Sequence, residues 1–140
     1  MLKGIPNIVS PSLLKILSEM GHGDEIVIAD GNFPSENYGK RVVRADGIGG
    51  VDMLKAILTL IPLDTYAEEN FLLMQTTQGD PKPSIWNEYF TVANGIDDNI
   101  RVGELERVAF YERAKNAYAV IATGEGAVYA NIILKKGVIK

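Results

Sequence analysis

The chain has 140 residues, 46% hydrophobic and 23% charged, with 14 Lys and Arg against 18 Asp and Glu for a formal net charge of -4. That length suits one domain with a sizeable core, and the acidic balance leaves no basic footprint for nucleic acid. With no cysteine and one histidine, disulfides and thiolate metal sites are excluded, and no carboxylate spacing supports a metal site of another kind.

The start MLKGIPNIVS lacks the apolar core of a signal peptide, and no run reaches the roughly 18 apolar residues of a membrane span. A cytoplasmic location with no membrane partner is the expectation. Ser10-Pro11-Ser12 then precedes Leu13, Leu14, Ile16, Leu17 and Met20, an apolar helical stripe with proline in its first turn and Gly21 at its end. Glu25 to Ala29 and Arg41 to Arg44 are short, β-branched and bounded by Gly, Asp, Asn and Pro, which predicts two strands joined by the loop DGNFPSENYGK. In VDMLKAILTLI the apolar residues Val51, Met53, Leu54, Ile57, Leu58 and Ile61 recur at helical spacing until Pro62 stops them.

Phe71 to Met74 predicts an apolar strand, and after the turn-rich QGDPKP the stretch Ser84 to Ala93 places Ile85, Trp86, Tyr89, Phe90 and Ala93 at helical intervals. This aromatic stripe reads as core rather than as a cofactor box. ELERVAFYERAKNA predicts a helix with Val108, Phe110 and Ala114 as its apolar set. Strands at Tyr118 to Ala122 and Ala130 to Leu134 follow, separated by the turn Thr123-Gly124-Glu125-Gly126, with Tyr129 and Asn131 at the entrance of the second. Helices interleaved with strands, and no internal repeat, predict a single α/β domain over residues 1–140. Its architecture would be a three-layer sandwich with a mixed, largely parallel central sheet flanked by helices. Ligands in such sheets collect at the carboxyl ends of strands, and Asp30 stands just beyond EIVIA.

His22 is the only side chain here whose ordinary pKa, about 6.5, lets it gain and lose a proton near neutrality. Gly21 and Gly23 beside it leave the backbone free and allow a small molecule to come close, while Asp24, Glu25 and Asp30 put carboxylates nearby in sequence. A second reading stands beside the first, in which Gly21 is a helix C-cap and His22 satisfies the last carbonyls of that helix. The glycine run Gly47-Ile48-Gly49-Gly50 superficially resembles a phosphate-cradling turn. Asp52, however, replaces the third glycine of that pattern and would cap the helix itself and repel a phosphate. No G-x-S-x-G motif supports a serine nucleophile.

Three strings taken together carry a resemblance: GHGDEIVIADGNFP, RADGIGGVDMLKAI, and FYERAKNAYAVIATGE followed by YANIILKKGV. They resemble the family that fucose mutarotases share with ribose pyranases, over nearly the whole chain, and the block FYERAKNAYAVIATGE favours the fucose branch. The resemblance implies interconversion of the α and β anomers of a free sugar, L-fucose first, with no cofactor and no metal. It places His22 at the position of the catalytic proton donor, and Asp30, Arg107, Tyr129 and Asn131 at sugar-binding positions. It also implies a homo-oligomer, a ring-shaped decamer built of pentamers, with sites near contacts between subunits.

Each of these side chains has independent chemical sense. An aspartate accepts sugar hydroxyls, an arginine and an asparagine amide donate, and a tyrosine offers a hydroxyl and an apolar ring face. Read without the resemblance, Arg107 is equally a solvated position on the ELER helix, and Asn131 an ordinary turn residue. Asn32 departs from the fucose-type pattern, which often has histidine there. The competing functions are a pyranase that interconverts pyranose and furanose forms of D-ribose, and a non-catalytic monosaccharide-binding module. The mutarotase reading requires the His22 imidazole to stand beside Asp30 and the Tyr129-Ala130-Asn131 tripeptide.

Overall fold

Strand β1 (Glu25–Ala29) presents apolar side chains in both directions, so it is stable only where both faces are covered, and Ile26 to Ala29 are each fully buried. In the computed structural model, which describes residues 1–140, β1 lies inside a six-stranded sheet of order β2-β5-β1-β6-β3-β4. The other strands are β2 (Val42–Ala45), β3 (Phe71–Met74), β4 (Val102–Leu105), β5 (Ala119–Thr123) and β6 (Ile132–Lys135). β1 and β2 both pair parallel with β5, and β3 pairs parallel with β4, whereas β6 runs antiparallel between β1 and β3. The expected mixed, largely parallel sheet is therefore present. All five parallel strands end at the edge where β6 begins.

Helices α1 (Pro11–Glu19), α3 (Gly50–Leu60) and α4 (Ile85–Ile96) pack on one face, against Ile26, Ile28, Phe71 and Leu73 among others. Helix α5 (Arg107–Asn116) covers the other through Phe110 and Ala114, against Val27, Ala29, Leu72 and Ile133, next to the short α2 (Ser35–Tyr38). This is the three-layer sandwich. The α1 start is as the sequence predicts, with proline in the first turn and the Ser10 hydroxyl accepting from the Leu13 N–H at 3.2 Å.

Three local expectations are corrected. The loop between β1 and β2 contains one helical turn, α2, entered through Pro34. The predicted helix ELERVAFYERAKNA is two elements: Val102–Leu105 is the edge strand β4, and Glu106 caps α5, its carboxylate accepting from the Ala109 N–H at 2.7 Å. Val108 consequently points to solvent, and the apolar set of that helix is Phe110 and Ala114. At the glycine run before α3, Asp52 does not cap the helix as expected. Glu125 accepts from the Gly50 N–H at 2.9 Å, and a Cβ on Gly50 would collide with the Tyr89 hydroxyl.

Candidate active site

The edge where the parallel strands end collects most of the predicted site. Asp30 follows β1 directly, Arg107 opens α5 just after β4, and Tyr129 and Asn131 lead into β6, which starts where the others finish. All four line one cleft of about 280 Å³. Asn32 and Asp80 add polar groups to it, and Phe33, Met74, Tyr111 and Val128 form an apolar wall. Such a space, part apolar and part convergent polar groups, has the chemistry of a small-molecule site.

The core aromatics set the geometry of the Tyr129–Asn131 segment. Trp86 donates its indole N–H to the Tyr129 carbonyl at 2.7 Å, and the buried Tyr89 hydroxyl donates to the Ala130 carbonyl at 2.8 Å. Tyr129 itself sits at φ 54°, a left-handed conformation uncommon for a non-glycine residue and one that turns the chain sharply into β6. The aromatic stripe is thus core, as expected, but its polar atoms hold the binding segment in place.

Asp30 and Asn131 are both buried, and the Asn131 amide oxygen accepts the Asp30 backbone N–H at 2.7 Å. The Asp30 carboxylate in turn accepts the Asn32 N–H at 3.0 Å. Burial pushes the Asp30 carboxyl above the usual carboxylate range, against the opposing effect of the N–H groups of Asn32, Ala130 and Phe33 and the Asn131 side chain. Opposite them, the Arg107 guanidinium lies 5.7 Å over the Tyr111 ring, which stacks on Tyr38 and meets Phe33 edge-on. Tyr129 donates its hydroxyl to Asp80 at 2.6 Å and lies 3.0 Å from the Thr77 hydroxyl, which ties the QGDPKP turn to the cleft rim.

His22 is not among these residues. It precedes β1, so the length of that strand, roughly 13 Å at 3.3 Å per residue, separates it from the Asp30 edge. The expectation that its ring stands beside Asp30 and the Tyr129–Asn131 tripeptide fails within one chain. The C-cap reading fails as well: α1 ends at Met20 in extended geometry, and the ring reaches none of its carbonyls. His22 instead tips a tight turn in which Gly23 has φ +86°, the Gly23 N–H donates to the Lys136 carbonyl, and the Gly21 N–H donates to the Asp24 carboxylate.

The carboxylates that lie near this imidazole in sequence are placed elsewhere. Asp24 closes the turn, Glu25 pairs with Arg113 at 2.7 Å, and Asp30 is at the far edge. The carboxylate that does reach the ring is Asp64, 3.0 Å from Nε2, with Tyr66 tilted beside it at 5.4 Å between ring centroids. Sequence reasoning missed Asp64 and Asp80. Neither carries a local signal, because each acts on a residue more than forty positions away. No three His, Asp or Glu side chains converge closely enough to hold a metal ion, and no helix is long and apolar enough to cross a membrane.

Residues 3–139 match the RbsD / FucU transport protein family. The chain is 49% identical to the L-fucose mutarotase of Histophilus somni (strain 2336), over 99% of this chain and 97% of that protein. Among solved structures, FucU from Bifidobacterium longum is 56% identical with a TM-score of 0.94, covering 99% of this chain and all of that one. The fucose mutarotase of Streptococcus pneumoniae, solved in complex with L-fucose, is 48% identical with a TM-score of 0.95 and the same coverage.

Proposed function

Because the chain belongs to the RbsD / FucU transport protein family, we propose that it is a mutarotase that interconverts the α and β anomers of L-fucose. The observation that carries the reading is the convergence of Asp30, Arg107, Tyr129 and Asn131 on one cleft of monosaccharide size, in a fold nearly superposable on a fucose-bound relative. Carboxylate and amide groups suit the sugar hydroxyls, and the wall of Phe33, Met74, Tyr111 and Val128 suits an apolar ring face and the methyl group of a 6-deoxy sugar.

The chemistry needs only proton transfers. The anomeric hydroxyl loses a proton while the ring oxygen gains one, and the C1–O5 bond breaks to give the aldehyde. The carbonyl then rotates about C1–C2, and the O5 hydroxyl adds to its other face. His22 is the acid–base group, and one such positioned group contributes roughly 10²- to 10⁴-fold. Asp30 accepts sugar hydroxyls, while Arg107 and the Asn131 amide donate.

His22 reaches a cleft in trans. Its turn lies at the edge of the sheet opposite the cleft, and a surface that joins two opposite edges is heterologous, the kind of contact that closes into rings. Exposed apolar side chains stand at both ends, with Tyr66 beside His22 and Val108 and Val128 near the cleft. That placement supports a ring of subunits in which each cleft receives the imidazole of its neighbour, the kind of assembly the sequence resemblance implies as a decamer of pentamers. The site is complete only in the assembly.

Saturation-transfer NMR on L-fucose tests the function: the protein accelerates exchange between the α and β anomeric signals, and faster than it accelerates exchange of D-ribose forms. A larger effect on ribose selects the pyranase reading. Sugar-induced shifts with exchange no faster than buffer select the binding module.

A further inference from the structure

We infer that Trp86 is a positioning residue of the cleft: its indole N–H clamps the peptide between Tyr129 and Ala130 in the orientation that aims the Tyr129 phenol at the rim and the Ala130 N–H at the Asp30 carboxylate. This rests on the reading of the cleft as the L-fucose site.

The clamp originates in the core. Trp86 lies in the first turn of α4, 3% exposed, and the indole N–H is the one polar group of its side chain, so it needs an acceptor inside the fold. That acceptor is the Tyr129 carbonyl at 2.7 Å, while the Tyr89 hydroxyl, one turn further along α4, donates to the Ala130 carbonyl at 2.8 Å. No backbone N–H of the chain reaches either carbonyl, so the two aromatic donors alone satisfy them. Lys82 lies 5.7 Å over the indole ring while its ammonium pairs with Glu104 at 3.2 Å, which closes the outer side of the ring.

What the clamp orients is the cleft. Tyr129 has φ 54°, and a bulky side chain stays in that left-handed region only where its surroundings impose it. With its carbonyl fixed, the phenol reaches Asp80 at 2.6 Å and the Thr77 hydroxyl at 3.0 Å, and Asn131 turns its amide oxygen to the Asp30 N–H at 2.7 Å. The other end of the clamped peptide, the Ala130 N–H, faces the Asp30 carboxylate and is one of the groups that draw that carboxyl down against its burial. A peptide that accepts at its oxygen donates more strongly at its nitrogen, so the indole strengthens this N–H as well as aiming it. Core packing alone would satisfy the indole with any buried carbonyl. This carbonyl belongs to the segment that joins two residues lining the cleft, Tyr129 and Asn131.

The test uses the intact protein and exploits its single tryptophan. Trp86→Phe removes the N–H but also leaves a cavity that could unfold the chain. The decisive protein therefore carries 3-benzothienylalanine at this position, incorporated biosynthetically, which keeps the ring shape and has sulfur in place of the N–H. KM for L-fucose anomer exchange should rise about fivefold or more, while kcat falls less than about threefold, because the proposed acid–base group His22 stands at the opposite edge of the sheet. 5-Fluorotryptophan, which keeps the N–H, should restore the lower KM. In sugar-free ¹⁵N-labelled protein, the Asp30 amide cross-peak, coupled to the clamp through Asn131, should move when the indole N–H is lost. An unchanged KM, or an unmoved Asp30 cross-peak, overturns the inference even if thermal stability falls. A parent protein that does not accelerate L-fucose exchange would instead overturn the reading of the function, and the sugar-free cross-peak would still decide the role of Trp86.

Discussion

His22 and Asp30 flank the same strand, β1, and so stand at opposite edges of the sheet, one bonded to Asp64 and the other to Asn131. A strand that short cannot bend the two together. The proposed acid–base group and the proposed sugar-binding carboxylate belong to one site only if they come from different subunits.

His22→Ala should reduce L-fucose anomer exchange by roughly 10²- to 10⁴-fold, to near the buffer rate. The half-exposed ring makes a single hydrogen bond, so far-UV circular dichroism and assembly size should be unchanged.

Asn131→Ala should cost both stability and binding. Its amide oxygen is the acceptor for the buried Asp30 N–H, and leaving that donor unsatisfied costs about 1–3 kcal/mol. Urea unfolding at neutral pH should show the lower midpoint, and titration with L-fucose should show the weaker affinity.

Tyr129→Phe separates proton transfer from binding. The phenol donates to Asp80, which predicts an anchoring role at the cleft rim rather than that of a base. KM for L-fucose should rise while kcat falls less than about tenfold, whereas a fall comparable to that of His22→Ala would make Tyr129 a proton-transfer group.

The two aspartates should respond to pH with opposite sign. The Asp30 carboxyl is raised in the folded chain, so the folded state holds its proton more tightly than the unfolded one. Stability is lost as pH rises from about 3.9 through the folded value, and the loss persists at neutrality. Asp30→Asn should therefore be more stable than the parent at pH 7, with an advantage that fades as pH falls towards 3.9, while losing exchange activity. The Asp64 carboxyl is lowered, so it stabilises the fold above about 3.9 and ceases to as pH falls below that. Asp64→Asn should be less stable at pH 7, with a deficit that closes only below about pH 3.9. Paired urea midpoints across this range check both signs.

Arg107 occupies the first residue of α5, where a positive charge opposes the helix dipole. Arg107→Ala should leave stability unchanged or raise it by a few tenths of a kcal/mol, and should raise KM for L-fucose. A clear loss of stability would mean that the stacking on Tyr111 is structural rather than a way of holding a binding group.

The alternation of apolar strands and amphipathic helices made the layers legible, because burial on both faces leaves continuous apolar runs such as Ile26 to Ala29. Strand β4 was not, since an edge strand with Glu104 and Val102 exposed carries no such run and its charges read as helix. Four cleft residues were legible through resemblance, and their types agree with sugar chemistry. The separation of His22 from them was not, because a histidine close in sequence to Asp30 becomes distant once an intervening strand is extended. The link to Asp64 depends on β6 passing between the two segments, and nothing local in either segment announces it.

Subunit mixing tests the central claim most directly. His22→Ala and Asp30→Asn should each be inactive alone; after equal amounts are unfolded, combined and reassembled, a ring that shares sites between neighbours regenerates intact ones at about a quarter of positions. L-Fucose anomer exchange should recover to about that fraction of the parent rate. Reassembled mixed rings with no more exchange than either variant alone would contradict a site built from two subunits.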